Sequence, residues 1–125
     1  MTQKLILIVD DERDIVEIVS ELLQEKGYRT VQAYDGREAI EMIERHHPDG
    51  LVLDIKMPVL DGLGVIRYLR SKPEFASIPV VVLTATQVIQ EAKQEFAQLN
   101  VHTWMSKPFE PDELCAAVNK ATGQG

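Results

Sequence analysis

The stretch KLILIVDD at residues 4–11 decides the fold prediction, because a continuous apolar run ends there at two aspartates. The run from Leu5 to Val9 has the length of a strand and does not alternate with polar residues, which is typical of a parallel strand covered on both faces. Four further segments of strand length follow, at residues 28–34, 51–54, 79–83 and 101–106. The sequence therefore predicts a sheet of five strands.

The segments that follow the strands have the apolar spacing of helices. Apolar residues recur in them every three or four positions, and in the fourth helix we expect Val88, Ala92, Phe96 and Leu99 to face inward. Five strands that alternate with five helices predict one α/β domain over residues 1–125, with a parallel sheet covered by helices on both faces.

The ends of several helices carry recognisable signals. Gly27 follows the first helix, where a left-handed residue commonly ends the last turn. Asp35 resembles the N-cap of the second helix, and Pro111 occupies a favoured first helical position in the last one. We expect residues 123–125 to fray and the single cysteine, Cys115, to be a small buried residue of the last helix.

Size and charge limit the classes of function. The chain has 125 residues, with 45% hydrophobic and 26% charged side chains, as in ordinary soluble domains. Its net charge of −7 repels nucleic acid and anionic lipid. The apolar runs are far shorter than the roughly 18 residues of a membrane helix, and no cleavable signal sequence precedes them. We therefore expect a cytoplasmic domain with no direct nucleic-acid binding and no membrane insertion.

Polar or charged residues follow four of the five predicted strands: Asp10 and Asp11, Asp54, Thr84 and Lys107. Ligands of open parallel sheets bind beyond the carboxyl ends of the strands, where the strand order changes direction. Each residue taken singly has a simpler role as a helix cap or a strand end. Their joint occurrence on four strands favours one binding site.

A magnesium ion fits the chemistry of this predicted site. Two carboxylates ~4 Å apart repel by about 4 kcal/mol at an effective dielectric constant of 20, and one lysine does not offset three of them. Mg²⁺ accepts a few carboxylates and waters and leaves positions for phosphate. A carboxylate can then attack a phosphoryl group, with Lys107 and Thr84 binding its oxygens.

The segments that contain these residues resemble the receiver domain of two-component response regulators. They are IVDDE at residues 8–12, LDIKMP at 53–58 with DG at 61–62, LTA at 83–85 and KPF at 107–109, so the resemblance covers essentially the whole chain. It implies a flavodoxin-like receiver fold with the strand order 2-1-3-4-5.

The resemblance also implies a role for each site residue. Asp54 is expected to accept a phosphoryl group from a sensor histidine kinase or a phosphotransfer protein. Asp10, Asp11 and Asp54, with the backbone carbonyl of Lys56, are expected to hold Mg²⁺ directly or through water. The Lys56 side chain lies at a variable position that tunes the lifetime of the phosphoryl group.

The remaining implications concern the phosphoryl oxygens and the output. Thr84 and Lys107 are expected to bind the oxygens, and the peptide bond between Lys107 and Pro108 is expected to be cis. Phosphorylation should switch the face formed by the fourth helix, fifth strand and fifth helix, and so alter the affinity for a downstream protein partner. Trp104 stands where receivers commonly carry a tyrosine or phenylalanine that turns inward, and we expect its larger indole to turn incompletely.

We therefore expect a stand-alone receiver, monomeric or weakly dimeric, that assists its own phosphorylation and dephosphorylation and is not otherwise an enzyme. An aspartyl phosphatase is one alternative, but Lys56 stands where its D-x-D-x-T pattern needs a second aspartate. A flavodoxin-like cofactor carrier is another. Acidic residues, among them Glu12 and Asp14, occupy the place of its phosphate-binding loop.

Overall fold

Strands and helices alternate strictly in the computed structural model, which describes residues 3–123 apart from the side chains of residues 93, 95 and 96. The elements are β1 (Leu5–Val9), α1 (Arg13–Glu25), β2 (Arg29–Ala33), α2 (Gly36–His46), β3 (Gly50–Leu53), α3 (Gly62–Ser71), β4 (Val80–Ala85), α4 (Thr86–Leu99), β5 (Thr103–Lys107) and α5 (Pro111–Thr122). The predicted inward side chain of Phe96 and the predicted fraying of residues 124 and 125 lie outside the described part.

The sheet is parallel throughout and has the order β2-β1-β3-β4-β5, as predicted. The order changes direction between β1 and β3, whose last residues Val9 and Leu53 are paired. β4 is longer than the sequence indicates, because Thr84 and Ala85 continue the pairing with β5 up to Lys107. The carboxyl ends of β1, β3, β4 and β5 therefore meet along one edge.

Alternate side chains of the central strands enter two separate hydrophobic layers. Leu7 and Val9 of β1 join the layer under α2, α3 and α4, whereas Ile6 and Ile8 join the layer under α1 and α5. This burial on both faces explains why β1 is continuously apolar. Cys115 is buried in the layer under α5, as predicted. No helix within residues 3–123 is both long and apolar enough to cross a membrane.

The predicted signals are found at the helix ends. Gly27 has a φ of 95° just after α1, and the Asp35 side chain accepts a 2.8 Å hydrogen bond from the amide of Glu38. Asp61 caps α3 in the same way, by accepting from the amide of Gly64 at 3.0 Å. These caps fix where α2 and α3 begin.

Gly62 allows the start of α3 to pack directly against the segment that follows β3. Its amide donates a 2.8 Å hydrogen bond to the carbonyl of Ile55. A Cβ atom at this position would lie 2.3 Å from the carbonyl oxygen of Asp54 and 2.8 Å from the Cα of Ile55. Only glycine fits this approach of two backbones.

The guanidinium of Arg70, near the end of α3, binds four backbone carbonyls. It donates to Leu99 at 2.9 Å and Asn100 at 3.0 Å, at the end of α4, and to Ala76 at 3.0 Å and Ile78 at 2.8 Å, in the loop before β4. Burial lowers the pKa of Arg70. This cluster, the Arg70 clamp, ties the C-terminal end of α4 to α3.

Candidate functional site

The sheet itself positions the two buried aspartates of the site. Asp10 follows β1, and its amide donates to the carbonyl of Ala33 at 3.2 Å. Asp54 follows β3, and its amide donates to the carbonyl of Val9 at 3.0 Å. These bonds extend the strand pairing by one residue, so both carboxylates leave the sheet at the switch point. Asp10 is only 2% exposed and Asp54 only 5%.

Lys107, the last residue of β5, brings one positive charge to this edge. Its Nζ lies 2.6 Å from Asp10 Oδ2, 3.0 Å from Glu12 Oε1 and 3.3 Å from Asp54 Oδ2. Burial alone would lower the pKa of Lys107, but the three carboxylates outweigh it, so the pKa of Lys107 is raised. The ammonium therefore stays charged, and one positive charge faces three negative ones.

The pKa of Asp10 reflects its burial and this excess of negative charge. Burial, together with the charge of Asp54, raises the pKa of Asp10 to about 6. Hydrogen bonds from Lys107 and from the amide of Glu12, the latter 3.0 Å long, offset burial only in part. Ionisation of Asp10 therefore costs more in this site than in water, and a further positive charge would reduce that cost.

Three carboxylate groups can share a cation at this edge. One oxygen from each of Asp10, Glu12 and Asp54 lies within 4.8 Å of the other two. A set of oxygen donors with net negative charge is the chemistry that hard divalent cations such as Mg²⁺ prefer. The residues therefore fit a magnesium site.

The composition of this cluster differs from the predicted set of ligands. Glu12 joins Asp10 and Asp54, whereas Asp11 is exposed and is not one of the three. In the sequence, Glu12 is part of a matching segment and an argument against a phosphate-binding loop, but no role in the site is predicted for it. Its position carried no usable signal, because the turn that brings it to this edge is seen only in the structure, where its amide donates to the Asp10 carboxylate at 3.0 Å. The role of Asp11 as a ligand stays a prediction.

The other predicted site residues belong to β4, β5 and the loop after β3. Thr84 is buried in β4 and pairs in register with Ser106, one residue before Lys107. Lys56 is exposed in the loop between β3 and α3. The peptide bond between Lys107 and Pro108 is cis, as the resemblance implies.

Trp104 lies on β5, away from the carboxylates. It pairs in register with Val82 and is half-buried against the layer under α2, α3 and α4. An open cavity beside it is lined by α4, with Gln90 and Gln94 among the contributing residues. Trp104 therefore lies where a movement of α4 would change its surroundings.

The strand order and the acidic edge define a flavodoxin-like α/β domain whose site lies at the topological switch point. The chain belongs to the response regulator receiver domain family, whose sequence model matches residues 6–119. The resemblance seen in the sequence is thereby confirmed.

Comparison with individual proteins agrees with this assignment. The chain is 42% identical over 111 residues to the response regulator MprA of Mycobacterium ulcerans, a match that covers 89% of this chain and 47% of that protein. The chain thus spans about half the length of the curated relatives that it matches.

Solved structures match the fold over nearly the whole chain. The chemotaxis response regulator CheY4 of Vibrio cholerae has a TM-score of 0.88 and 31% identity, with 96% of this chain and 99% of that chain covered. The receiver domain of a Pseudomonas aeruginosa sensor histidine kinase has a TM-score of 0.87 and 28% identity, and the match covers 98% of this chain and 99% of that one. In that structure a magnesium ion is coordinated in the active site cleft.

Proposed function

We propose that this domain receives a phosphoryl group on Asp54 from a sensor histidine kinase or a phosphotransfer protein, with Mg²⁺ as cofactor. One observation carries the proposal: the buried Asp54 carboxylate lies at the switch point, within 3.3 Å of the Lys107 ammonium and beside two further carboxylates. In a family of phosphoacceptors, this is the geometry expected of the acceptor.

The transfer is a displacement at phosphorus. An oxygen of the Asp54 carboxylate forms a bond to phosphorus while the bond to the donor atom breaks, and the donor leaves with that electron pair. The product is an acyl phosphate. Lys107 and Thr84 bind phosphoryl oxygens. The domain also assists its own dephosphorylation, in which water attacks phosphorus and the Asp54 carboxylate leaves.

The cation supplies positive charge that lets two anionic groups meet. We propose that Asp10, Asp11 and Asp54 hold it together with the backbone carbonyl of Lys56. The acidic cluster at this edge and the raised pKa of Asp10 support the roles of Asp10 and Asp54 in this set.

We propose that the output is a change in the face formed by α4, β5 and α5. Phosphorylation shifts this face between two states and alters the affinity for a downstream protein partner. The net charge of −7 argues against direct binding of nucleic acid by this domain. A cytoplasmic domain that is monomeric or weakly dimeric fits this role.

Intact-mass spectrometry after incubation with acetyl phosphate and Mg²⁺ tests the acceptor. The wild-type chain should gain one phosphoryl group that hydroxylamine removes, and Asp54→Asn should gain none. Asp35→Asn is a matched control, because asparagine also caps a helix and the site is left intact. A single phosphoryl group that persists in Asp54→Asn would refute the assignment.

The fluorescence of Trp104, the single tryptophan, tests the output face. Addition of beryllofluoride with Mg²⁺ should shift the emission in the wild-type chain and leave Asp54→Asn unchanged. If fluorine NMR shows the mimic bound while the emission stays identical, Trp104 does not take part in the switch.

A further inference from the structure

Each of the three N–H donors of the Lys107 ammonium can be matched with one carboxylate of the site. A lysine ammonium has three N–H donors. Asp10, Glu12 and Asp54 each provide an acceptor, at 2.6, 3.0 and 3.3 Å. A phosphoryl oxygen therefore competes with these carboxylates for the donors of Lys107.

The three carboxylates differ in how easily they can release Lys107. The side chains of Asp10 and Asp54 are only 3% and 6% exposed, whereas that of Glu12 is 62% exposed. Water can solvate Glu12 when the contact opens, but it cannot reach the two buried aspartates in the same way. Glu12 is thus the partner that leaves at least cost.

The backbone position of Glu12 shows that this contact is separate from helix formation. Glu12 is the N-cap residue of α1, yet its side chain makes no capping hydrogen bond. The carboxylate instead extends across the edge of the sheet to Lys107, which is 95 positions away along the chain.

We propose that Glu12 is a positioning residue that holds Lys107 in the unphosphorylated site and competes with the phosphoryl oxygens for its ammonium. The inference rests on the proposed function, since it assigns Lys107 to the phosphoryl oxygens. Glu12 then sets the balance between the two states: a stronger hold on Lys107 disfavours the phosphorylated one.

Two variants separate the contact from the charge. Glu12→Gln removes the charge. Glu12→Asp keeps it but shortens the side chain by one C–C bond of about 1.5 Å, enough to break a 3.0 Å contact. Aspartate is also a favoured N-cap, so the start of α1 is preserved. Glu17→Gln is the matched control, because this exposed residue of α1 is not one of the partners of Lys107.

The first measurement is the affinity for beryllofluoride at saturating Mg²⁺, followed by fluorine NMR. Both Glu12 variants should bind the mimic about two- to fivefold more tightly than the wild type, the range expected for an exposed ion pair, and Glu17→Gln should not differ. Equal or weaker binding in Glu12→Asp would overturn the inference, because charge alone would then explain any effect of Glu12→Gln.

The second measurement is the NMR signal of the Lys107 ammonium protons without Mg²⁺ or mimic. Loss of the Glu12 contact should speed their exchange with water in both variants, whereas an unchanged exchange rate would contradict the proposed hold. If the wild type binds no beryllofluoride, the proposed function fails and this inference with it. If the wild type binds it and the Glu12 variants match the wild type, only this inference fails.

Discussion

Replacement of Asp10 by asparagine should stabilise the metal-free domain at neutral pH, although it removes a residue of the site. The asparagine side chain resembles the protonated form of Asp10, which burial favours. The variant therefore avoids the cost of ionising a carboxyl group that is 2% exposed.

The magnitude follows from the pKa of Asp10, which rises from 3.8 to about 6 on folding. Each pKa unit corresponds to about 1.4 kcal/mol, so ionised Asp10 costs the folded state about 3 kcal/mol. Between these two pKa values the folded chain keeps a proton that the unfolded chain has released. The stabilisation that the folded state gains from protonated Asp10 is thus fully present below pH 3.8, and it is lost as the pH rises through about 6.

Urea unfolding followed by circular dichroism, with EDTA present, measures the effect. Asp10→Asn should unfold with the same free energy as the wild type at about pH 3 and with about 1 to 3 kcal/mol more at about pH 8. Asp11→Asn is the control, because the neighbouring side chain is exposed, and it should match the wild type at both values. A difference that is constant with pH, or a less stable Asp10→Asn at the higher pH, would refute the reasoning.

Three further features of the fold can be tested by substitution in the same unfolding assay. Gly62→Ala should cost at least about 2 kcal/mol because its Cβ meets backbone, whereas Gly64→Ala, whose Cβ meets the movable Leu60 side chain, should cost less; equal costs would contradict the proposed close approach. Val59 has a φ of 71° and is 75% exposed, and asparagine adopts this left-handed backbone more readily than valine, so Val59→Asn should stabilise the domain by about 1 kcal/mol. A loss of stability would show that the backbone of Val59 is unstrained. Arg70→Met should cost about 3 kcal/mol through its four carbonyl contacts, with Arg70→Lys in between, and a cost under about 1 kcal/mol would mean that water replaces the clamp.

The order of strands and helices was accessible from the sequence because burial on both faces makes a strand continuously apolar. Strand ends were less accessible. Thr84 and Ala85 are ordinary polar and small residues, and only their pairing with Ser106 and Lys107 keeps them in β4. That pairing depends on a register which no local pattern encodes.

The candidate site was predicted in its location but not in its full composition. Asp10, Asp54 and Lys107 follow from the ends of buried strands, which must converge. The presence of Glu12 in the acidic cluster depends on how the chain turns between β1 and α1, a matter of backbone angles. The Arg70 clamp was missed for a similar reason, because its acceptors are carbonyls, which every residue has.

The Arg70 clamp makes the two ends of α4 mechanically unequal. The C-terminal end is bound through Leu99 and Asn100, whereas the N-terminal end, after Ala85, has no side-chain cap. A tilt of α4 that preserves the hydrogen bonds of Arg70 would therefore pivot about the C-terminal end of the helix. Over 14 residues the helix is a lever arm of about 20 Å, so a tilt of about 10° displaces the end next to β4 by about 4 Å. A displacement at the carboxyl edge of β4 would thereby be carried by the adjacent end of α4, while the clamped end stays almost in place.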